Sequence, residues 1–243
     1  MRQFDVFVLD DTPDFDSWTP LFEDPSLGWF HVKDWNSDLE KLEAEWIVFT
    51  HRSIKIDRDF LNNLAQVIEG YPMVDAFAPR LNLNGKFMGG LVLDNAAGFK
   101  PIDENEKMRF VAAPIPVIGV FSRRIIQRTG LFDKDLPAEL QLADYTLRMY
   151  HAGGKMFSVP YLVAEPATEI GFNYTLKNLI GPMWDIIYKC LPPTNLIAFT
   201  LRHPSTIAKW FKSKKTLKFK AEKATALSKL SDKTIKEISL KNK

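Results

Sequence analysis

The chain has 243 residues, 46% of them hydrophobic and 26% charged, with a formal net charge of +2. That is enough apolar sequence to bury a core as one globular domain, or one domain with an appendage. A single cysteine, Cys190, excludes an intramolecular disulfide, as is usual in a reducing compartment, and with four histidines leaves too few paired ligands for a structural zinc site.

The start, Met1-Arg2-Gln3-Phe4-Asp5, carries an acid where the apolar run of a leader would begin, so no signal peptide is expected. Phe4 to Leu9 predicts a buried strand that runs into the acidic turn Asp10-Asp11-Thr12-Pro13-Asp14. Asp14 or Asp16 can cap a helix there. Trp29 to Val32 predicts a second strand, and Ser37 to Ala44 a helix in which Ser37 and Glu40 form a capping box. Trp46 to Phe49 is a continuous apolar run, as in a parallel strand covered on both faces. Asp57 then caps a helix whose Phe60, Leu61, Leu64, Val67 and Ile68 share one face, ending at Gly70-Tyr71-Pro72. Val74 to Ala78 predicts the next strand.

This alternation predicts an α/β sheet, mostly parallel and flanked by helices, whose ligands bind at the carboxyl ends of the strands. Asp10, Asp11, His51, Arg52 and Ser53 all fall at such ends. Further on, Asn82 to Lys86 reads as a hairpin turn and Gly89-Gly90 as a flexible point. Pro114 to Phe121 is apolar and leads into a short helix to Thr129, Asp144 to His151 is helical up to Gly153-Gly154, and Met156 to Val159 is a short strand. No internal repeat is visible.

Gly130-Leu131-Phe132-Asp133, then Asp144-Tyr145-Thr146-Leu147-Arg148, then Ala152-Gly153-Gly154-Lys155 together resemble the acceptor-side signature of family 2 glycosyltransferases. Trp46 to Leu64 likewise resembles the centre of the GT-A fold, an apolar strand leading into an acidic D-x-D motif and a helix. Asp10 to Asp14 resembles the family's aspartate-rich nucleoside-binding element. In one register Phe4 to Leu9 is the family's second strand; in the other it is the first, and Asp34 to Asp38 is the second acidic element. The resemblance covers about residues 4 to 160 and implies a GT-A fold and a nucleotide-sugar donor, with Asp10, Asp11 and Asp14 at the nucleotide. It also implies a divalent Mg or Mn ion at the D-x-D position. That position reads His51-Arg52-Ser53, which lacks the carboxylates a hard cation needs. Arg52 can instead bind the diphosphate directly; otherwise His51 and Arg52 only close a strand end.

The spacing from Arg148 and Gly153 puts Asp144 on the second acid of the family's E-D-x-D, while Gln141 and Leu142 stand where the family has Glu and the catalytic Asp. An inverting transferase needs a carboxylate to take the acceptor hydroxyl's proton. Asp144 is the first candidate and Glu139, in the loop before the helix, the second. The alternative for Asp144 is a helix-end acid paired with Arg148.

Beyond about residue 170 the chain reads as a helical extension, 171–243, following a transferase domain, 1–170. Asn173 to Leu179 resembles the helix after the family's core. Leu179 to Thr200 is interrupted by Asp185, Lys189 and Pro192-Pro193, so it is not expected to span a membrane. The last forty or so residues carry roughly nine net positive charges, leaving the rest net acidic. Trp210, Phe211 and Phe219 interleave with Lys209, Lys212, Lys214, Lys215 and Lys218 as in a basic helix lying on an anionic bilayer, with the last twenty residues expected to be a solvated tail. Nucleic acid ranks lower, because the remainder is acidic and carries no recognised module.

The first reading is therefore a glycosyltransferase building a surface glycan on a glycan or lipid-linked acceptor, at the cytosolic face of a membrane. The second is a transferase-like domain without catalysis. A nucleotidyltransferase, the third, would need a phosphate loop rich in glycine and arginine near the start, and none is visible.

Overall fold

The computed structural model describes residues 3–10, 19–83, 85–94, 98–102, 107–167, 179–207 and 231–239. Strands β1 (Phe4–Leu9), β2 (Leu27–Val32) and β3 (Trp46–His51) run parallel with β1 in the middle. All of β1 and nearly all of β3 is buried, which is why both are predominantly apolar, with Asp5 the one charged residue inside β1. Beyond β3 the sheet continues through β10 (Ile118–Ser122), antiparallel to both its neighbours, then β5 (Ala76–Leu83), β11 (Met156–Pro166) and the short β4 (Ile54–Lys55). Apart from β10 the long strands all point one way. β6 (Lys86–Met88) completes the expected hairpin with β5, turned by Gly85 at φ 83. β9 (Arg109–Phe110) pairs with β11, and β7 (Leu91–Leu93) and β8 (Phe99–Pro101) form a separate two-stranded sheet.

Period-two alternation sends successive strand residues into two different helix layers. Val6, Val8, Val48 and Phe77 pack beneath α1 (Arg58–Gly70), which inserts Phe60, Leu61, Leu64 and Val67. Asp57 caps α1 by accepting the Phe60 N–H at 2.9 Å, a contact that contributes about 1 kcal/mol. On the other face Phe7, Ile47, Phe49 and Phe121 pack with α2 (Arg123–Thr129), α3 (Ala138–His151) and α4 (Ile180–Cys190). Phe132 fills this layer, stacked on Tyr145 at 4.1 Å and edge-on to Phe49 at 5.1 Å. Gly130, at φ 83, provides the left-handed turn that brings it there.

After α4 the chain turns at Pro192 into α5 (Pro193–Arg202), whose Leu196 and Phe199 join the same core. The last described segment, α6 (Asp232–Glu237) and the two residues after it, comes back to the body. Ile238 is buried, and its carbonyl accepts the Leu93 N–H at 3.1 Å. The expected solvated tail is thus corrected for 231–239: Ile235 and Ile238, three apart, share a face that packs on the core. No helix among the described residues is long and apolar enough to cross a membrane.

Two further expectations change. Ser37 to Ala44 contains only a single 3-10 turn, Leu39–Lys41. Ser37 donates to Asp34 Oδ2 at 3.1 Å, in a local turn closed by Asn36 N–H on Asp34 Oδ1 at 2.9 Å, so it caps no helix. The chain then crosses beneath β1, where the Asp5 carboxylate accepts the Glu43 and Ala44 N–H groups at 2.7 and 2.9 Å. The second change is in α3, which begins at Ala138 after Pro137; Asp144 lies inside the helix and Glu139 in its first turn.

Candidate functional site

The site forms where the three parallel strands end. Asp10 donates its N–H to the Val32 carbonyl at 3.0 Å, and Arg52 donates its N–H to the Leu9 carbonyl at 2.9 Å. These bonds extend the pairing one residue past each strand and hold Asp10 between the ends of β2 and β3. Val8 is in register with His31 on one side and Thr50 on the other, so alternation turns Asp10, His31 and Arg52 to the same face. Their side chains meet there: Asp10 Oδ2 lies 2.9 Å from His31 Nε2 and 2.9 Å from Arg52 Nη1. Asp10 is fully buried, whereas the side chains of His31 and Arg52 are 15% and 30% exposed. A carboxylate only accepts, so His31 Nε2 carries a proton.

Next to this cluster His51 Nδ1 lies 2.6 Å from Ser53 Oγ and accepts the Ser53 N–H at 3.2 Å. The backbone donor makes Nδ1 the acceptor, which leaves the ring proton of neutral His51 on Nε2. The corner is pinned by β11: Ala167 donates its N–H to the Ser53 carbonyl at 2.7 Å, and β4 pairs with Glu165 and Pro166. Asp10, the first residue of the predicted acidic turn, therefore meets Arg52 of the His-Arg-Ser corner. Asp11 and Asp14 lie outside the described residues, as do Asn173 to Asn178 and the basic run from Lys209 to Lys220.

Asp144 lies elsewhere, facing α4. It is fully buried, with Arg148 Nε 2.8 Å from Oδ2 and Lys189 Nζ 2.6 Å from Oδ1. Lys189 also reaches Asp133 Oδ2 at 2.8 Å. Burial works against the charge on Lys189, but attraction to Asp144 and the hydrogen bonds to Asp133 and Asp144 outweigh it and hold the ammonium above its ordinary pKa. Arg148 is held up in the same way against its own burial. Of the two expectations for Asp144, the structure shows the ion pair with Arg148, within the helix and with no exposed surface.

The exposed carboxylate at the start of α3 is Glu139. The loop before it docks on the turn after β2: Asn36 Oδ1 accepts the Phe132 N–H at 2.7 Å, and Asn36 Nδ2 donates to the Phe132 carbonyl at 3.0 Å. Lys134 adds an ion pair to Asp34 at 3.2 Å. Because α3 leads into β11, which is parallel to β5, its first turn lies toward the carboxyl ends of the strands.

His31, Asn36 and Lys189 are the residues that motif reasoning missed. Only His31 had a signal, its period-two placement with Trp29 on a strand beside Asp10.

Among the described residues no three His, Cys, Asp or Glu side chains gather to hold a metal. At the D-x-D position a guanidinium lies against Asp10. The donor set among the described residues, a guanidinium, an imidazole and a hydroxyl at the D-x-D position, does not fit a hard divalent cation. Beside the cluster, Val8, Trp29, Thr50, Ile54 and Lys55 line a cavity of about 80 Å³, far below the several hundred that a nucleotide fills. A larger hollow of about 400 Å³ lies on the opposite layer, between Leu39, Arg123, Ile126 and Leu131.

No family model matches the sequence, and no curated protein does. Solved structures do match. GalNAc-T7 with UDP, GalNAc and Mn2+ superimposes with a TM-score of 0.56 at 11% identity, over 91% of this chain and 55% of that one. The S. aureus TarS 1-349 structure in complex with UDP-GlcNAc gives 0.50 at 13% identity, over 84% of this chain and 73% of that one. The chain thus spans little more than half the length of the first. The order of its strands and these superpositions give the chain the GT-A fold of glycosyltransferases, a mainly parallel sheet between two helix layers.

Proposed function

We propose that the chain is a glycosyltransferase that moves a sugar from a nucleotide sugar to a hydroxyl of a surface glycan, a polysaccharide or lipopolysaccharide. The observation that carries this reading is the meeting of Asp10, His31 and Arg52 at the carboxyl edge of a GT-A sheet, on a fold shared with structures that hold UDP and UDP-GlcNAc. The donor's diphosphate lies at Arg52, His51 and Ser53, and its nucleoside toward Asp11 and Asp14. Inversion follows from the family 2 resemblance: the acceptor oxygen bonds to the anomeric carbon, the nucleotide diphosphate leaves with the electrons of the broken C–O bond, and Glu139 takes the hydroxyl proton. A first-turn carboxylate at the positive end of the α3 dipole is favoured in its ionised form.

Residues 1–170 form the transferase domain and 171–243 the extension, which brings the enzyme to the cytosolic face of an anionic membrane. Ile197, Leu201 and Ile207, exposed by 49%, 76% and 46%, lead directly into the lysine and aromatic interleaving from Lys209 on. That face suits a lipid-linked acceptor.

A panel of nucleotide sugars tests the reading, with release of the nucleotide diphosphate as the readout and proton NMR of the product giving its anomeric configuration. Glu139→Gln is expected to cut turnover by about 100-fold or more while donor affinity holds. The burial of Asp144, with Gln141 and Leu142 at the acidic positions, favours a second reading, a binding domain without catalysis. Tight binding of a donor with no release, in the presence of acceptor glycans, would select it.

A further inference from the structure

We propose that Lys189, on α4, is a positioning residue for the transfer step: through Asp133 it holds the loop that aims Glu139 at the acceptor. The proposal rests on the transferase reading with Glu139 as its base, and adds that the C-terminal extension supplies a group to the reaction.

The loop from Gly130 to Pro137 is tied first by residues of the transferase part itself. At its start Arg148 Nη1 donates to the Thr129 carbonyl at 3.2 Å. On the β2 side Asn36 brackets the Phe132 backbone with bonds of 2.7 and 3.0 Å. Within the loop Asp133 Oδ1 accepts the Asp135 N–H at 3.1 Å, and the Asp133 carbonyl accepts the Leu136 N–H at 3.2 Å. At its end Gln141 Nε2 donates to the Leu136 carbonyl at 2.9 Å, fastening the loop to the first turn of α3.

The remaining tie comes from the extension. Lys189 Nζ donates to Asp133 Oδ2 at 2.8 Å and lies 2.6 Å from Asp144 Oδ1, with the lysine side chain only 5% exposed. Its helix is fixed by Met183, Trp184, Ile186 and Ile187, all packed in the core, so the ammonium has a set place. A buried ion group adds little stability over apolar side chains of similar volume; here it specifies one geometry for Asp133. The bonds from Asp133 to Leu136 and from Leu136 to Gln141 carry that geometry to the turn that bears Glu139. A base has to lie within hydrogen-bond reach of its proton, and a displacement of about 1 Å costs on the order of 100-fold in rate.

Asp133→Asn in the full chain tests this, because it keeps Oδ1 for the Asp135 N–H and removes the charge facing Lys189. Hydrogen exchange read by mass spectrometry is expected to quicken by about tenfold or more over Phe132 to Leu140 and to stay unchanged in α1. Unchanged exchange in the loop overturns the proposal whether or not turnover is found. Turnover is read as nucleotide diphosphate release from UDP-, GDP- and dTDP-sugars, with core oligosaccharide of lipopolysaccharide as acceptor. We expect kcat to fall about 10- to 100-fold while the donor KM stays within about threefold. Asp133→Asn added to Glu139→Gln should slow the enzyme no further, since both act on one proton transfer. Losses that multiply overturn the proposal and leave the transferase reading standing. Asp144→Asn with Lys189→Met, which restores the charge balance, should keep the kcat loss, because Asp133 has lost its lysine; parent-level kcat there also overturns it. Asn36→Ala loosens the same loop from the β2 side and takes the place of Asp133→Asn if that variant melts well below the parent. No release from any donor removes both the proposal and the transferase reading.

Discussion

Asp144→Asn separates a structural carboxylate from a catalytic one, because the two roles predict opposite readouts. The side chain is completely buried and faces two cations, Arg148 at 2.8 Å and Lys189 at 2.6 Å, with Asp133 as the second acid of the group. Asparagine keeps the shape but removes the charge, leaving two cations against one acid and an amide N–H beside a cation. Removing one partner from a buried ion group costs about 3–5 kcal/mol. The 13% exposure of Arg148 and 20% of Asp133 admit some solvent, which places the expected cost near the lower bound. At about 2–4 °C per kcal/mol for a domain of this size, the melting temperature should fall by roughly 6–12 °C. Adding Lys189→Met restores the balance, with Arg148 and Asp133 as the remaining charges, and should recover more than half of that loss, since a neutral, apolar replacement of a buried pair is often tolerated. Circular dichroism melts of parent, single and double variants measure this. An unchanged melting temperature with turnover abolished would refute the structural assignment and return the base to Asp144.

Gly154→Ala should destabilise by about 1–3 kcal/mol, because a Cβ there would come within 2.7 Å of Met149 Cγ and 2.8 Å of Ile125 Cδ1 inside a packed layer; a urea titration measures it. Cys190 is fully buried, and burial pushes its thiol from 9.0 up to about 12. Native protein should therefore react with Ellman's reagent only on unfolding. The raised folded pKa also means that its contribution to stability is complete below about pH 9 and is lost as pH rises toward 12; the contribution of Lys189, raised above 10.5, is lost only at still more alkaline pH than 10.5. Cys190→Ala should flatten part of that alkaline decline in urea midpoints. Replacing Lys209, Lys212, Lys214 and Lys215 by glutamine should reduce pelleting with phosphatidylserine vesicles by one to two orders of magnitude, at about 1 kcal/mol per lysine before partial screening. Leu201→Ser should reduce it further; unchanged pelleting in both variants removes the membrane from the reading.

The elements that could be read from the sequence are those fixed by local pattern. Trp46 to Phe49 is apolar throughout and Phe4 to Leu9 is apolar but for Asp5, as doubly covered strands require, and Asp57 with the Phe60, Leu61, Leu64 and Val67 face defines α1 down to its cap. The edge position of β2 could not be read, because strand order is decided by which faces remain to be covered once all helices are present. The same limit governs the site. Asp10 and Arg52 are 42 residues apart and adjacent only because β1 and β3 pair in one register, Leu9 with His51. Strand ends could be located from sequence; that one carboxylate would be shared by an arginine and a histidine from two flanking strands could not. Asp144 shows the converse. Its spacing to Arg148 supports both a helical ion pair and a catalytic motif, and a lysine 45 positions later decides between them by closing the carboxylate from the α4 side. A long-range charge, invisible to any motif, thus places a residue in a catalytic-looking position inside a buried ion group between α3 and α4, while the first turn of α3 keeps an exposed acid, Glu139, as the carboxylate proposed for the chemistry.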